Sequence, residues 1–226
     1  MRPVLAGRIQ WRVSPDASQK SGPIAGAPVE VAEPEFEPSN LLNGFRVAAL
    51  VEDHFEQMEL TTPKAALELA GAHVDLISRH PRLTGMSCLI PGDVFVPDVA
   101  LEHAQARPEL YDALLLPGGV VNGDDLRGVP EAQNFARALV GQGKPVAMIC
   151  HAGWLLISAG LVSGRTLTSW PSMRDDFTNA GARWVDRPVM VDGNWISCRK
   201  PTDVPAFTRA MLEVFIQHHG AHQRAA

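Results

Sequence analysis

The stretch Pro145-Val-Ala-Met-Ile-Cys150-His151-Ala-Gly-Trp154 decides how this chain is read. Val146 to Ile149 form an apolar run of strand length, and it stops at a cysteine followed by small residues that open a helix over 152–159. A strand that turns sharply through one residue into a helix is a nucleophile elbow, with the turning residue presented at the end of a sheet. Cys150 would there face the positive end of a helix dipole, which favours thiolate and lowers the pKa from its free value of ~8.5. Ala152 and Gly153 are small where helix and strand approach closely. A cysteine that ends a core strand is often only a small hydrophobe, but the elbow pattern and the adjacent His151 favour a nucleophile.

Working outward, the same alternation of strand and helix recurs. Arg46-Val-Ala-Ala-Leu-Val51 is a strand, followed by Glu52-Asp53-His54-Phe55-Glu56-Gln57-Met58-Glu59 and a helix running through Ala70 to a C-cap at Gly71. His73 to Ser78 is the next strand, and a helical crossover between the two implies parallel order. Residues 81–97 suggest a small hairpin off the sheet edge. Tyr111-Asp-Ala-Leu-Leu-Leu-Pro117-Gly118-Gly119 is a third core strand entering a glycine turn, followed by a loop over 120–127 and a helix over 130–141. Beyond the elbow come a strand at 165–168, a helix at 172–180, short strands at 183–185, 188–191 and 195–198 with Asp192-Gly193 as a hairpin turn, and a closing amphipathic helix at 205–218.

This pattern defines an α/β fold, an open and mostly parallel sheet with helices on both faces. Sites in such sheets lie at the carboxyl ends of strands, so Cys150, Gly118-Gly119 and Glu56 to Glu59 should converge on one crevice. The domain is expected over 44–218. Residues 1–43, with Pro3, Pro15, Pro23, Pro28, Pro34 and Pro38, read as an extension without a secretory signal, and 219–226 as a tail. At 226 residues, 46% hydrophobic and 20% charged, the chain affords a sizeable core, and no apolar stretch reaches the ~18 residues of a membrane helix. A formal charge of −5 without a basic stripe argues against a nucleic-acid partner. Three widely spaced cysteines, Cys88, Cys150 and Cys198, argue against a disulfide framework and CxxC-type metal sites, and fit a reducing cytoplasm.

A nucleophilic sulfur needs groups that set its protonation, move protons and bind an oxyanion. Glu59 and Glu56, at the start of the first helix, are the candidate carboxyls; one that touches the sulfur should be protonated through burial and like charge. The backbone N–H groups of Gly119 and His151 are candidate oxyanion donors. His151 is the candidate acid or base, although its position next to Cys150 would point it away unless another group orients it. Asp124 is the candidate orienter. No metal or other cofactor is implied.

The segments Glu59-Leu-Thr-Thr-Pro63, Leu-Leu-Leu-Pro117-Gly118-Gly119, Ile149-Cys150-His151, Leu156-Ile-Ser-Ala-Gly160, Asn179-Ala-Gly-Ala182 and Val191-Asp-Gly-Asn-Trp-Ile196 resemble the PfpI family of the class I amidotransferase-like superfamily, over residues 45–215. The resemblance implies a flavodoxin-like sandwich, a homodimer or dimer-built hexamer, and a Cys-His nucleophile whose acid comes from an adjacent subunit, a role that falls to Asp124. It assigns Glu59 to the carboxyl that contacts the cysteine and matches Glu56 to a second acid. Two departures stand out: Ala152-Gly153 where relatives carry Gly-Pro, and Trp170 where close relatives carry a pocket tyrosine. With Gly118, Trp170 is a candidate substrate-binding residue. The implied activity is cofactor-independent action on reactive dicarbonyls or their early adducts. Peptide hydrolysis by Cys150 and His151, and a non-catalytic chaperone or redox-sensor role for Cys150, are the alternatives. Amidotransferase chemistry is disfavoured, because it relies on a downstream His-x-Glu pair and His218, His219 and His222 supply none.

Overall fold

The computed structural model describes residues 39–105 and 107–225; the extension expected over 1–43 therefore lies almost wholly outside the described residues. In chain order the strands are β1 (Arg46–Leu50), β2 (Phe55–Glu56), β3 (His73–Ser78), β4 (Leu83–Ser87), β5 (Ile90–Phe95), β6 (Val99–Ala100), β7 (Ala113–Leu116), β8 (Val146–Ile149), β9 (Thr166–Leu167), β10 (Arg183–Trp184), β11 (Val189–Asp192) and β12 (Trp195–Cys198). The α-helices are α1 (Gln57–Leu69), α2 (Leu101–Gln105), α3 (Val120–Arg127), α4 (Pro130–Gly141), α5 (Gly153–Ser158), α6 (Arg174–Asn179) and α7 (Val204–Ala225).

Seven strands form one sheet in the order β11-β12-β8-β7-β1-β3-β6, parallel throughout except for the β11–β12 hairpin. Every residue of β7 and β8 is buried, as the unbroken apolar runs require of strands covered on both sides. Side chains alternate across the sheet, so Ala48, Leu50, Leu114, Leu116, Val146 and Met148 share one face, where they cluster with residues of α2, α4 and α5 such as Phe135 and Leu155. The residues between them, Val47, Ala49, Leu115, Ala147 and Ile149, are also buried and point to the other face. The helices α1 and α7 pack together, α1 against β3 and α7 against β12. This is the flavodoxin-like sandwich. The chain leaves β1 toward β3 on one side and returns to β7 on the other, so strand order reverses between β1 and β7, the crevice where such sheets bind ligands.

Several segments differ from the sequence expectation. Residues 120–127 are helix α3 rather than a loop. Their pattern is inverted, with Val120 and Val121 exposed and Asn122 and Gly123 buried, so apolar periodicity could not reveal them. The hairpin over 81–97 joins β2 in a separate three-stranded sheet, and its two-residue turn, Cys88-Leu89, has positive φ at both residues (48° and 74°). Strands β9 and β10 pair only with each other, the β11–β12 turn centres on Gly193-Asn194, and β6 and α2 were not anticipated. Helix α7 does not end at His218. It continues through 219–225, expected as a tail, and His219 packs edge-on against Phe45 at 5.3 Å while its Nε2 lies 3.1 Å from the Asn43 carbonyl oxygen.

Candidate active site

Cys150 follows β8 directly, at the carboxyl edge of the sheet, with φ of 58°. This left-handed conformation is costly for a residue with a Cβ and is the strain expected of an elbow. A single 3-10 turn, Cys150–Ala152, leads into α5, and the elbow is held by tight approaches. A Cβ at Gly153 would strike the Phe177 ring, and one at Gly123 of α3 would lie 2.6 Å from the His151 carbonyl oxygen.

Three segments meet at the sulfur. Glu59, in the first turn of α1, is fully buried; its Oε2 accepts the Gly118 N–H at 2.8 Å, and the carboxyl faces the Cys150 thiol. Oε1 has no hydrogen-bond partner among the described residues. Burial, then the negative charge of Glu56, raises the Glu59 pKa well above the usual carboxylate range, which favours the neutral acid. The N–H groups of Gly119 and His151 point at Cys150. At Gly118 a Cβ would collide with the Glu59 carboxyl and come within 2.7 Å of the Cys150 Cβ, so only glycine allows the turn after β7 to pass this close.

The sulfur itself differs from the expectation of a thiolate. Burial, the largest cause, pushes the Cys150 pKa up, against the lowering effect of the Gly119 and His151 N–H groups. The helix behind it is only six residues long and is set back by a 3-10 turn, and burial of the sulfur favours the thiol. His151 does not point away: its Nδ1 lies 3.1 Å from Sγ. The ring is held between Trp154 and Trp170, at centroid distances of 5.1 and 5.5 Å, and burial lowers its pKa to about 4. It is therefore neutral, and burial favours the uncharged form of all three groups, thiol, imidazole and carboxylic acid.

Glu56 takes a different place. It lines the cavity, but its Oε2 accepts the Cys88 N–H of the hairpin turn at 3.2 Å, and half-burial raises its pKa. Thus Glu59, and not Glu56, is the carboxyl at the sulfur. Asp124 is exposed on α3 and does not meet His151 within the chain, so the orienting role expected of it is not made within one subunit. Sequence reasoning missed Asn122. Fully buried in the first turn of α3, it donates to the carbonyls of Pro117 (2.8 Å) and Gly118 (2.9 Å) and accepts the Glu52 N–H at 2.6 Å. It thereby fixes the Gly118-Gly119 turn to the end of β1; its only sequence signal was an amide four residues after Gly118.

Above the sulfur is a cavity of about 520 Å³, walled by Met86 and Leu89 of the hairpin, Val120 and Val121 of α3, Trp170 and Pro201. Trp170 also donates its backbone N–H to the Cys150 carbonyl at 3.2 Å. Among the described residues no cluster of three or more His, Cys, Asp or Glu could hold a metal ion, and no helix is long and apolar enough to cross a membrane.

Fold and site together define a flavodoxin-like α/β protein with a cysteine on a nucleophile elbow, backed by a buried acid. The profile of the DJ-1/PfpI family matches residues 45–214. The chain is 40% identical over 171 residues to a protein named as a deglycase from Pyrococcus abyssi, a match spanning 75% of this chain and 98% of that one. It is 38% identical over 170 residues to Deglycase PfpI of Pyrococcus furiosus, again with 75% and 98% coverage. Among solved structures, a two-domain protein from Anabaena variabilis, with DJ-1/ThiJ/PfpI-like and ferritin-like domains, is similar with a TM-score of 0.69 at 31% identity. That match covers 75% of this chain and 47% of the longer one. DJ-1 of Schizosaccharomyces pombe shares the fold, with a TM-score of 0.66 at 20% identity over 78% and 97% of the two chains. The chain belongs to the DJ-1/PfpI family.

Proposed function

We propose that this protein is a cysteine-dependent enzyme acting on reactive dicarbonyls, or on the early adducts they form with amines and thiols. The observation that carries the reading is the uncharged set at the cavity floor: Cys150 Sγ beside His151 Nδ1 at 3.1 Å, a buried neutral Glu59, and N–H groups of Gly119 and His151 directed at the sulfur. The deglycase names of the relatives from Pyrococcus support it.

In this mechanism Sγ bonds to the aldehyde carbon as the thiol proton passes to His151 Nδ1. The carbonyl π bond breaks, and its oxygen, held by the Gly119 and His151 N–H groups, takes the proton back to give a hemithioacetal. The hydrogen on that carbon then moves as a proton to the neighbouring carbonyl carbon through an enediol. His151 removes it and returns it to the second carbon, while Glu59 supplies a proton to the second oxygen and recovers one from the first oxygen's hydroxyl as the thioester carbonyl forms. The product is a 2-hydroxyacyl thioester, which water cleaves to a 2-hydroxy acid and the free thiol. The net change is addition of water with internal redox, so no external oxidant or reductant enters.

Assembly belongs to the same proposal: in a homodimer or dimer-built hexamer, Asp124, exposed and without a hydrogen-bond or ion-pair partner among the described residues, would orient a neighbouring copy's His151. The test is conversion of methylglyoxal to lactate by purified protein without added thiol, and its loss in Cys150→Ser. Inert wild type that degrades unfolded casein in a Cys150-dependent manner would replace this reading with a peptidase.

A further inference from the structure

The walls of the cavity say more about the substrate than its floor does. Its volume of about 520 Å³ lies in the range that encloses drug-sized ligands, and a three-carbon ketoaldehyde in contact with Sγ would leave most of it unfilled. The walls come from three separate elements and agree in character. Met86 and Leu89 face Val120, Val121 and Trp170, with Leu89 83%, Val120 49% and Val121 45% exposed, so large apolar side chains are held open to water around the mouth. Isolated exposed apolar residues are ordinary, but a set converging on a nucleophile is a binding surface. The Cys88-Leu89 turn, with both residues at positive φ, forms the rim on one side.

Charge points the same way. The titratable groups facing the cavity are His54, Glu56, Glu59, Cys88, Cys150 and His151, and no arginine or lysine among the described residues lines it. Burial favours the neutral forms of Glu59 and His151, which leaves Glu56 as this chain's own acid facing any bound ligand near the sulfur. A carboxylate or phosphate on the substrate would meet like charge and no compensating cation.

We infer that the preferred substrate, given the dicarbonyl reading above on which this rests, is a neutral ketoaldehyde bearing a bulky aryl or alkyl group. That group lies between Trp170 and the Met86–Leu89 and Val120–Val121 walls, and anionic 2-oxo compounds are rejected. The product is the corresponding bulky 2-hydroxy acid, which as an anion in the same cationless cavity leaves readily.

Three substrates separate size from charge: methylglyoxal, phenylglyoxal and 4-carboxyphenylglyoxal, each kcat/KM normalised to the substrate's rate of addition to a small free thiol. Phenylglyoxal should exceed methylglyoxal by about tenfold or more, since an aryl group buries several methylenes' worth of apolar surface. The carboxylated analogue should fall about tenfold below phenylglyoxal. Val121→Arg, at a position already 45% exposed, should narrow that second gap. Equal normalised values for methylglyoxal and phenylglyoxal, or for the two aryl compounds, overturn the inference while leaving the function intact. Absence of all ketoaldehyde turnover defeats the proposed function instead. The cavity's selection of a neutral aryl group is then decided by alkylation of Cys150, followed by intact-mass measurement, with phenacyl bromide against 4-carboxyphenacyl bromide: a tenfold preference for the neutral reagent upholds that selection and equal rates overturn it.

Discussion

Replacing Glu59 by Gln should make the protein more stable at neutral pH while disabling it. The carboxyl is fully buried and its pKa is raised well above 4.5, so the folded protein keeps a proton that the unfolded chain releases. Where the folded state binds more protons, stability falls as pH rises, by at most about 1.4 kcal/mol per unit for one group. The loss begins above the unfolded carboxylate pKa and continues until the raised folded pKa is reached. From pH 5.5 upward the wild type should therefore lose stability steadily relative to Glu59→Gln, a trend that an amide at this position cannot show. The amide keeps an oxygen for the Gly118 N–H at the site of the 2.8 Å bond and never needs to hold a titrating proton. Urea unfolding of both proteins at pH 5.5, 6.5 and 7.5 measures the difference. Activity on ketoaldehydes should fall by about 10²-fold or more, as for loss of a general acid. Parallel stability curves would show that Glu59 is ionised in the folded protein, and the account of an uncharged site would be wrong.

The other predictions concern the parts around it. Asn122→Ala strands the Glu52 N–H and the Pro117 and Gly118 carbonyls, and should cost about 2–4 kcal/mol. Because the Gly119 N–H loses its aim, kcat should fall about tenfold or more with KM little changed; an effect on KM alone would place Asn122 outside the oxyanion site. Gly118→Ala forces a Cβ into the Glu59 carboxyl and Cys150, so thermal unfolding should show a loss of about 1–3 kcal/mol, with activity nearly abolished; a stable, active variant would contradict the packing described. His151, with its pKa lowered to about 4, stays neutral above pH 5, so kcat/KM should show no inflection near 6.5 belonging to this residue. Its stability contribution has a definite sign: the unfolded imidazole binds a proton below ~6.5 that the folded one refuses until about 4, so stability is lost as pH falls through that window. NMR titration of the ring protons checks both statements.

The elbow was legible because strand, turn and small-residue helix are all local signals, and burial of β7 and β8 on both faces leaves an unbroken apolar run in the sequence. Helix α3 was not legible. Its valines face water and the cavity while its amide and glycine face inward, the reverse of the amphipathic rule, because its inner surface must bind a turn and approach the His151 carbonyl within a glycine's reach. The hairpin wall was recognised as a hairpin but not as part of the site, since nothing local to Met86 or Leu89 encodes a cavity formed with residues from α3 and Trp170.

Composition and spacing determined the layered α/β fold, the cysteine at the carboxyl edge of the sheet, and the short list of groups able to serve it. Tertiary structure alone chose between Glu59 and Glu56, turned His151 toward the sulfur, and set every charge in the site. Those outcomes depend on desolvation and on distances of a few ångströms between segments far apart in the chain, quantities that no local pattern of residues records.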